Sequence, residues 1–206
     1  MKDVIARRLA GTRPAPPEDY RVPGIAGDLP RRLARLRPGR LTPAAVLVPV
    51  VERAEGLTIL FTVRSEGLKH HAGQVSFPGG RLEPGDEGPR QAALREAEEE
   101  VGLPMGHVTV AGYLHNYMTI TGYSVTPVVG FVRPGFELVL DRTEVAEAFE
   151  VPLDYLLDPG NLQRKYSRYL GVRLPYFEIP WGPHRIWGAT AAMLVNFRDT
   201  LAEDVA

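Results

Sequence analysis

Three glutamates, Glu96, Glu99 and Glu100, fall at positions i, i+3 and i+4. On a helix that spacing gathers them into one arc of about 100°. Like charges so close repel one another, and helix stability gives no reason for them. A hard divalent cation, Mg²⁺ or Mn²⁺, would resolve the repulsion, since such ions take carboxylate and water oxygens and leave positions for substrate phosphates. Arg95, four residues before Glu99, would pin that carboxylate in place. Glu98 points away from the arc. The competing reading is a solvated acidic helix face, because glutamate is a good helix former and such runs are common.

These side chains need an element to carry them. Residues 91–101 read as a helix, with Pro89 in its first turn and Gly102 just past its end. Ala93, Leu94, Ala97 and Val101 form an adjoining apolar arc that would pack on a sheet. Upstream, residues 44–51 and 57–64 read as buried strands joined by a polar turn, and glycine and proline punctuate residues 73–89. Further strands are expected at 108–117, 124–132 and 144–151, a short helix at 152–157, a hairpin at 168–179 and an amphipathic closing helix at 190–201. Strands and helices alternate without the cadence of a doubly wound sheet. The expected class is therefore α/β (α+β), a mixed sheet flanked by helices.

The 206 residues suit one domain, and 44% hydrophobic with 24% charged residues is a globular composition. The absence of cysteine excludes disulfides, thiolate metal sites and cysteine nucleophiles. No apolar run approaches the ~20 residues of a membrane span, and the first eight residues lack the apolar core of a secretory signal. A cytoplasmic protein is expected. Residues 1–43 hold ten Lys/Arg against four Asp/Glu, although the chain's net charge is −1. A basic arm would attract nucleic acid or phosphates, but Arg31, Arg32, Arg35 and Arg37 surround Leu29, Leu33 and Leu36 at helical spacing. That pattern favours the solvated face of a packed helix, so a nucleic-acid partner is not expected. Pro14, Pro16, Pro17 and Pro23 mark an extended surface segment. The arm and the 168–179 hairpin are candidates for a homodimer interface.

Glu87, seven intervening residues and Arg95-Glu96-Ala97-Glu98-Glu99-Glu100-Val101-Gly102-Leu103 resemble the signature of the Nudix hydrolases, with Ala97 in place of a bulky aliphatic residue. Six residues separate Gly80 from Glu87, one more than the general pattern. A register taken from Gly80 puts Asp86 in the acidic position, and one taken from Arg95 puts Glu87 there. A second stretch, Leu60-Phe61-Thr62-Val63-Arg64-Ser65 with Lys69, Gly73 and Phe77-Pro78-Gly79-Gly80, resembles the additional motif of the coenzyme A diphosphatase branch, with Phe61 replacing a leucine and Lys69 an arginine. The resemblance extends over residues 44–201 and implies a Nudix fold, a mixed sheet sandwiched between helices. It divides the chain into a basic, proline-rich arm with short helices at 1–43 and a Nudix hydrolase domain at 44–206.

The resemblance further implies hydrolysis of the diphosphate of coenzyme A or its derivatives to 3′,5′-ADP and 4′-phosphopantetheine. Glu96, Glu99, Glu100 and the carbonyl of Gly80 would hold Mg²⁺ or Mn²⁺. The base would be Glu99, Glu100 or Glu144, with Arg95 part of the catalytic group. Arg64, Lys69, Gly79, Gly80 and Arg81 would bind the substrate. A surface role beside a strand competes for Glu144 and Glu147. His70 and His71 are read as loop residues, and Trp181, Trp187 and Tyr176 as packing residues. Two alternatives stand: a Nudix hydrolase of ADP-ribose, nucleotide sugars or dinucleotides, and a non-catalytic nucleotide-binding module.

Overall fold

The apolar run at residues 44–51 becomes the middle of strand β2 (Thr42–Arg53) in the computed structural model, which describes residues 1–21, 41–68, 71–169 and 171–202. Its side chains alternate between two cores. Ala44, Val48 and Val50 belong to one, Ala45, Leu47 and Val51 to the other. Burial on both faces explains why this strand shows no polar alternation.

β2 pairs in parallel with β8 (Tyr123–Val132), from Thr42 opposite Tyr123 to Val51 opposite Val132. Its other edge is shared. The C-terminal part pairs with β3 (Gly56–Arg64), and the N-terminal part with β5 (Gly79–Arg81), both antiparallel. β3 leaves β2 and runs on between β9 (Val145–Pro152) and the short β4 (Val75–Ser76). The sheet is therefore split along one edge of β2. Beyond β8 lie β6 (Val108–Tyr113) and β7 (Asn116–Met118), and β1 (Tyr20–Arg21) pairs in parallel with β7. The strand expected at 108–117 is thus two strands. The Asn116 side chain, fully buried, donates to the carbonyls of Ala15 and Pro16, and this tie draws the chain out of β6's line.

Helix α1 (Lys2–Leu9) and α2 (Pro89–Val101) lie on opposite faces of the sheet. α2 packs Ala92, Ala93, Leu94, Ala97 and Val101 onto β2 and β5. On the other face, Ile5 and Leu9 of α1 join Leu153 and Leu156 of α3 (Leu153–Leu157) and Met193, Leu194 and Phe197 of α4 (Ala189–Ala202). Phe61 stacks between Phe77 and Phe149 in this core, with centroids 5.1 and 5.7 Å away. Each fully buried aliphatic or aromatic side chain contributes about 1.5–3 kcal/mol. The expected mixed sheet between helices is what forms, with four helices among the described residues.

Two expectations change. The hairpin is part of a separate three-stranded antiparallel sheet, β10 (Gln163–Tyr169), β11 (Val172–Trp181) and β12 (His184–Trp187). The closing helix is not amphipathic over its first half, because residues 190–197 are all buried. α1, α3, β7 and the small sheet surround it, leaving no solvent side there. Lys69, His70 and the arginine-rich stretch at 29–37 lie outside the described residues.

Candidate active site

The carboxylates sit where the sheet splits. α2 opens on Pro89, whose missing N–H is no loss in a first turn, and closes on Gly102 in the left-handed region at φ 67°. The amides of Val139 and Asp141 donate to the carbonyls of Val101 and Glu100, so a loop seals the helix end. Beneath the helix, the glycine loop is stitched to β2 by Leu47 N–H donating to Pro78 O and by the β5 ladder.

Gly79 is required by what touches it, and Gly80 makes room for a glutamate. A side chain on Gly79 would strike the backbone of Ala45 and Val46, and one on Gly80 would strike the carboxylate of Glu96. Glu96 thus lies directly on the glycine loop. The Gly79 amide donates to Glu100 Oε2 at 3.2 Å. Glu100 is only 4% exposed. Burial pushes its carboxyl up to about 8, with Glu96 and Glu144 adding to the rise and the Gly79 amide and Arg64 opposing it. Glu96 is raised as well, by burial first, with Arg95 pulling the other way.

Arg95 is the organiser. Its Nη1 donates to Glu96 Oε1 at 3.0 Å and to Glu99 Oε2 at 2.9 Å. Its Nε and Nη2 grip Asp86 at 3.3 and 3.1 Å, and Nη2 also donates to the Arg81 carbonyl. Asp86 is held below the usual carboxylate range, by Arg95 first and then by the Glu83 amide. The structure therefore puts Asp86, not Glu87, opposite the arginine. Glu87 is exposed, and its amide donates to Gln91.

Arg64 arrives from β3. The ladder to β9 shifts between Val63 and Arg64, a bulge of the kind that re-aims a side chain. Arg64 Nη1 stands 3.9 Å from Glu100 Oε1, while its Nε is buried without a hydrogen-bond partner. Glu144 precedes β9, anchored by Ser65 N–H donating to its carbonyl. Its carboxylate is exposed, yet it acts on both Glu96 and Glu100.

Most of the residues singled out in the sequence thus converge: Arg64, Gly79, Gly80, Arg95, Glu96, Glu99, Glu100 and Glu144. Arg81 joins only through its carbonyl. Its guanidinium turns to Tyr123, hydrogen-bonding the hydroxyl and lying 5.3 Å from the ring centroid. Glu147 turns to His184, 3.4 Å away, and His71 to Gln74. Trp181 packs on the core beside Tyr155, whereas Tyr176 and Trp187 pair on the small sheet outside it. Among the described residues no three acidic or histidine side chains converge on one point; Arg95 Nη1 holds Glu96 and Glu99, and the Gly79 amide holds Glu100. The donor set still suits a hard cation. It is all oxygen, it crowds like charge around a buried carboxylate, and the bare Gly80 backbone leaves Glu96 its place.

The comparisons agree with this geometry. Residues 41–170 match the model of the NUDIX domain. An uncharacterized Nudix hydrolase, NudL, of Photorhabdus laumondii is 41% identical over 151 residues, covering 73% of this chain and 80% of that protein. The NudL of Escherichia coli K12 is 40% identical over 156 residues, covering 73% and 78%. Among solved structures, the Nudix hydrolase RenU of M. smegmatis superposes with a TM-score of 0.55 at 23% identity, covering 78% of this chain and 86% of that one, which supports the fold. With the domain model spanning most of its length and relatives of this identity, the chain belongs to the Nudix hydrolases, enzymes that act on phosphorus anhydrides.

Proposed function

We propose that the enzyme hydrolyses the diphosphate bond of coenzyme A or its derivatives, giving 3′,5′-ADP and 4′-phosphopantetheine, in the cytoplasm. Glu96, Glu99, Glu100 and the Gly80 carbonyl would hold Mg²⁺ or Mn²⁺. The observation that carries the reading is Arg64. It belongs to one motif and Glu100 to the other, and the fold brings them to 3.9 Å. The Arg64 side chain remains 27% exposed beside the carboxylates, which leaves its guanidinium open to a phosphate oxygen.

A bound divalent cation supplies neutralisation of phosphoryl charge and acidifies the attacking water. The chain's own residues do the rest. Asp86 fixes Arg95, and Arg95 fixes the directions of Glu96 and Glu99. Gly79 and Gly80 let the backbone approach the diphosphate. Glu144 stays outside the Arg95 clamp and is our choice of proton acceptor over Glu99 and Glu100. Water adds to phosphorus, its proton passes to the carboxylate, and the bridging oxygen departs with the other phosphate.

The test is a panel of coenzyme A, dephospho-coenzyme A, ADP-ribose and a dinucleotide, with Mg²⁺ or Mn²⁺ and with chelator, products resolved by chromatography. Metal-dependent release of 3′,5′-ADP led by coenzyme A is the expected result. Arg64→Ala should raise KM for coenzyme A more than for ADP-ribose. Turnover led by ADP-ribose would discard the substrate assignment and keep the metal helix.

A further inference from the structure

We propose that one face of the β10–β11 hairpin binds single-stranded nucleic acid, independently of the hydrolytic site. Positions 162–177 carry Arg164, Lys165, Arg168 and Arg173 without a single Asp or Glu, in a chain whose net charge is −1. The register sets Arg164 opposite Phe177, Tyr166 opposite Pro175 and Arg168 opposite Arg173. Side chains alternate along a strand, so Arg164, Tyr166, Arg168 and Arg173 share one face. All four are exposed, Tyr166 by 49%. The Arg173 guanidinium lies 3.9 Å from the Tyr166 ring centroid, and that of Arg164 lies 5.9 Å from it.

Folding gives no reason for this arrangement. Like charges directly across a strand pair are destabilising, and Arg168 opposite Arg173 is such a pair. Among the described residues, neither forms an ion pair with a carboxylate. The opposite face of the same small sheet is built differently, because there Lys165 and Arg185 both reach Glu178. Lys165 and Arg185 have their counter-charge in Glu178, whereas Arg168 and Arg173 on the other face leave theirs to a ligand. Arginines beside an exposed ring are the components that single strands require, with guanidinium groups on phosphates and the ring against a base. A duplex hides its base faces from such a ring, and an anionic bilayer would use the cations without needing a stacked base.

In the 1–43 arm the arginines fall around leucines at helical spacing, which argues against polyanion binding there. The hairpin shows how strand pairing concentrates charge that is spread along the chain.

The experiment is fluorescence anisotropy of the full chain with a labelled oligoadenylate of about 12 nucleotides, across a salt series. Three arginine contacts predict log K falling against log salt with a slope of about −2, at ~0.7 per contact for single strands. Arg168→Glu/Arg173→Glu should reduce that slope by about 1.4, and Arg168→Gln/Arg173→Gln should do the same without reversing charge. Tyr166→Ala should weaken binding about 5- to 100-fold at unchanged slope, the loss of one stacked base. Diphosphate hydrolysis should match the wild type in all three, which separates this proposal from the hydrolytic one, and Arg168→Gln/Arg173→Gln should melt no lower than the wild type because it removes the like-charge pair. Absence of binding at low salt would overturn it. So would equal binding by Tyr166→Ala and wild type, or capture by phosphatidylserine vesicles without capture of RNA.

Discussion

Glu100 and Glu178 are both 4% exposed, and the protein treats them in opposite ways. Glu178 lies on the small sheet between Lys165 and Arg185, which hold its carboxyl below the ordinary range, Arg185 most strongly. Its cover is thin, because those two side chains are themselves 40% and 60% exposed. Glu100 lies on the buried side of α2, with one backbone amide, a distant guanidinium and two further carboxylates for company, and its carboxyl is pushed up to about 8. Low exposure alone therefore decides nothing. What separates a structural acid from a chemical one is whether the fold supplies the counter-charge or leaves that to a ligand.

The largest break in this comparison should come from Glu100→Gln. Turnover should fall at least about 100-fold, beyond what changes in outer supporting groups cost, while the fold survives. The pH dependence sharpens it. With chelator present, a folded-state value near 8 against an unfolded value of about 4.3 means the folded chain holds the extra proton between them. Stability should therefore fall as pH rises through that window, and urea midpoints at the two ends should converge in Glu100→Gln. Midpoints that rise with pH in the wild type would show Glu100 to be compensated like Glu178.

Asp86→Asn ranks next. Loosening Arg95 should cost about 10- to 100-fold in turnover, as loss of an orienting partner does, and Glu87→Gln should change little. Equal losses would return the acidic position to doubt. Glu178→Gln tests the other region. Its loss should cost about 1 kcal/mol, the scale of screened pairs, or roughly 2–4 °C in Tm for a chain of this size, and leave kcat unchanged. The depressed carboxyl stabilises at pH values above its unfolded value, and that contribution fades as pH falls through the folded one.

Legibility in the sequence follows the same division. α2 was readable to within two residues because Pro89, Gly102 and the apolar arc are all local signals, β2 because burial on two faces leaves an unbroken apolar run, and β3 because only Thr58 and Thr62 interrupt its apolar residues between Leu57 and Val63. The three glutamates and Arg95 were readable for the same reason. Asp86 was ambiguous, since a one-residue change in a glycine loop swaps it with Glu87 and only the fold shows which acid meets Arg95. The break between β6 and β7 depends on Asn116 reaching carbonyls about a hundred positions earlier. Glu178 gave no local sign at all. It is buried by partners on two other strands.

The smallest effect is the most discriminating one. Lys165→Ala removes one of two cations from Glu178, and Arg185 still donates to Oε2 from both Nε and Nη2. The change should cost less than about 1 kcal/mol, as exposed pairs do, and it should vanish in high salt, where solvent-exposed charges are screened. In a Glu178→Gln background the same substitution should cost nothing, because its partner is gone. A salt-insensitive loss of several degrees in Tm would mean that Glu178 sits as deep as Glu100 and owes its low exposure to the interior. The difference between the two glutamates would then lie in pairing alone. A small, screened, partner-dependent loss would instead trace it to depth and pairing together.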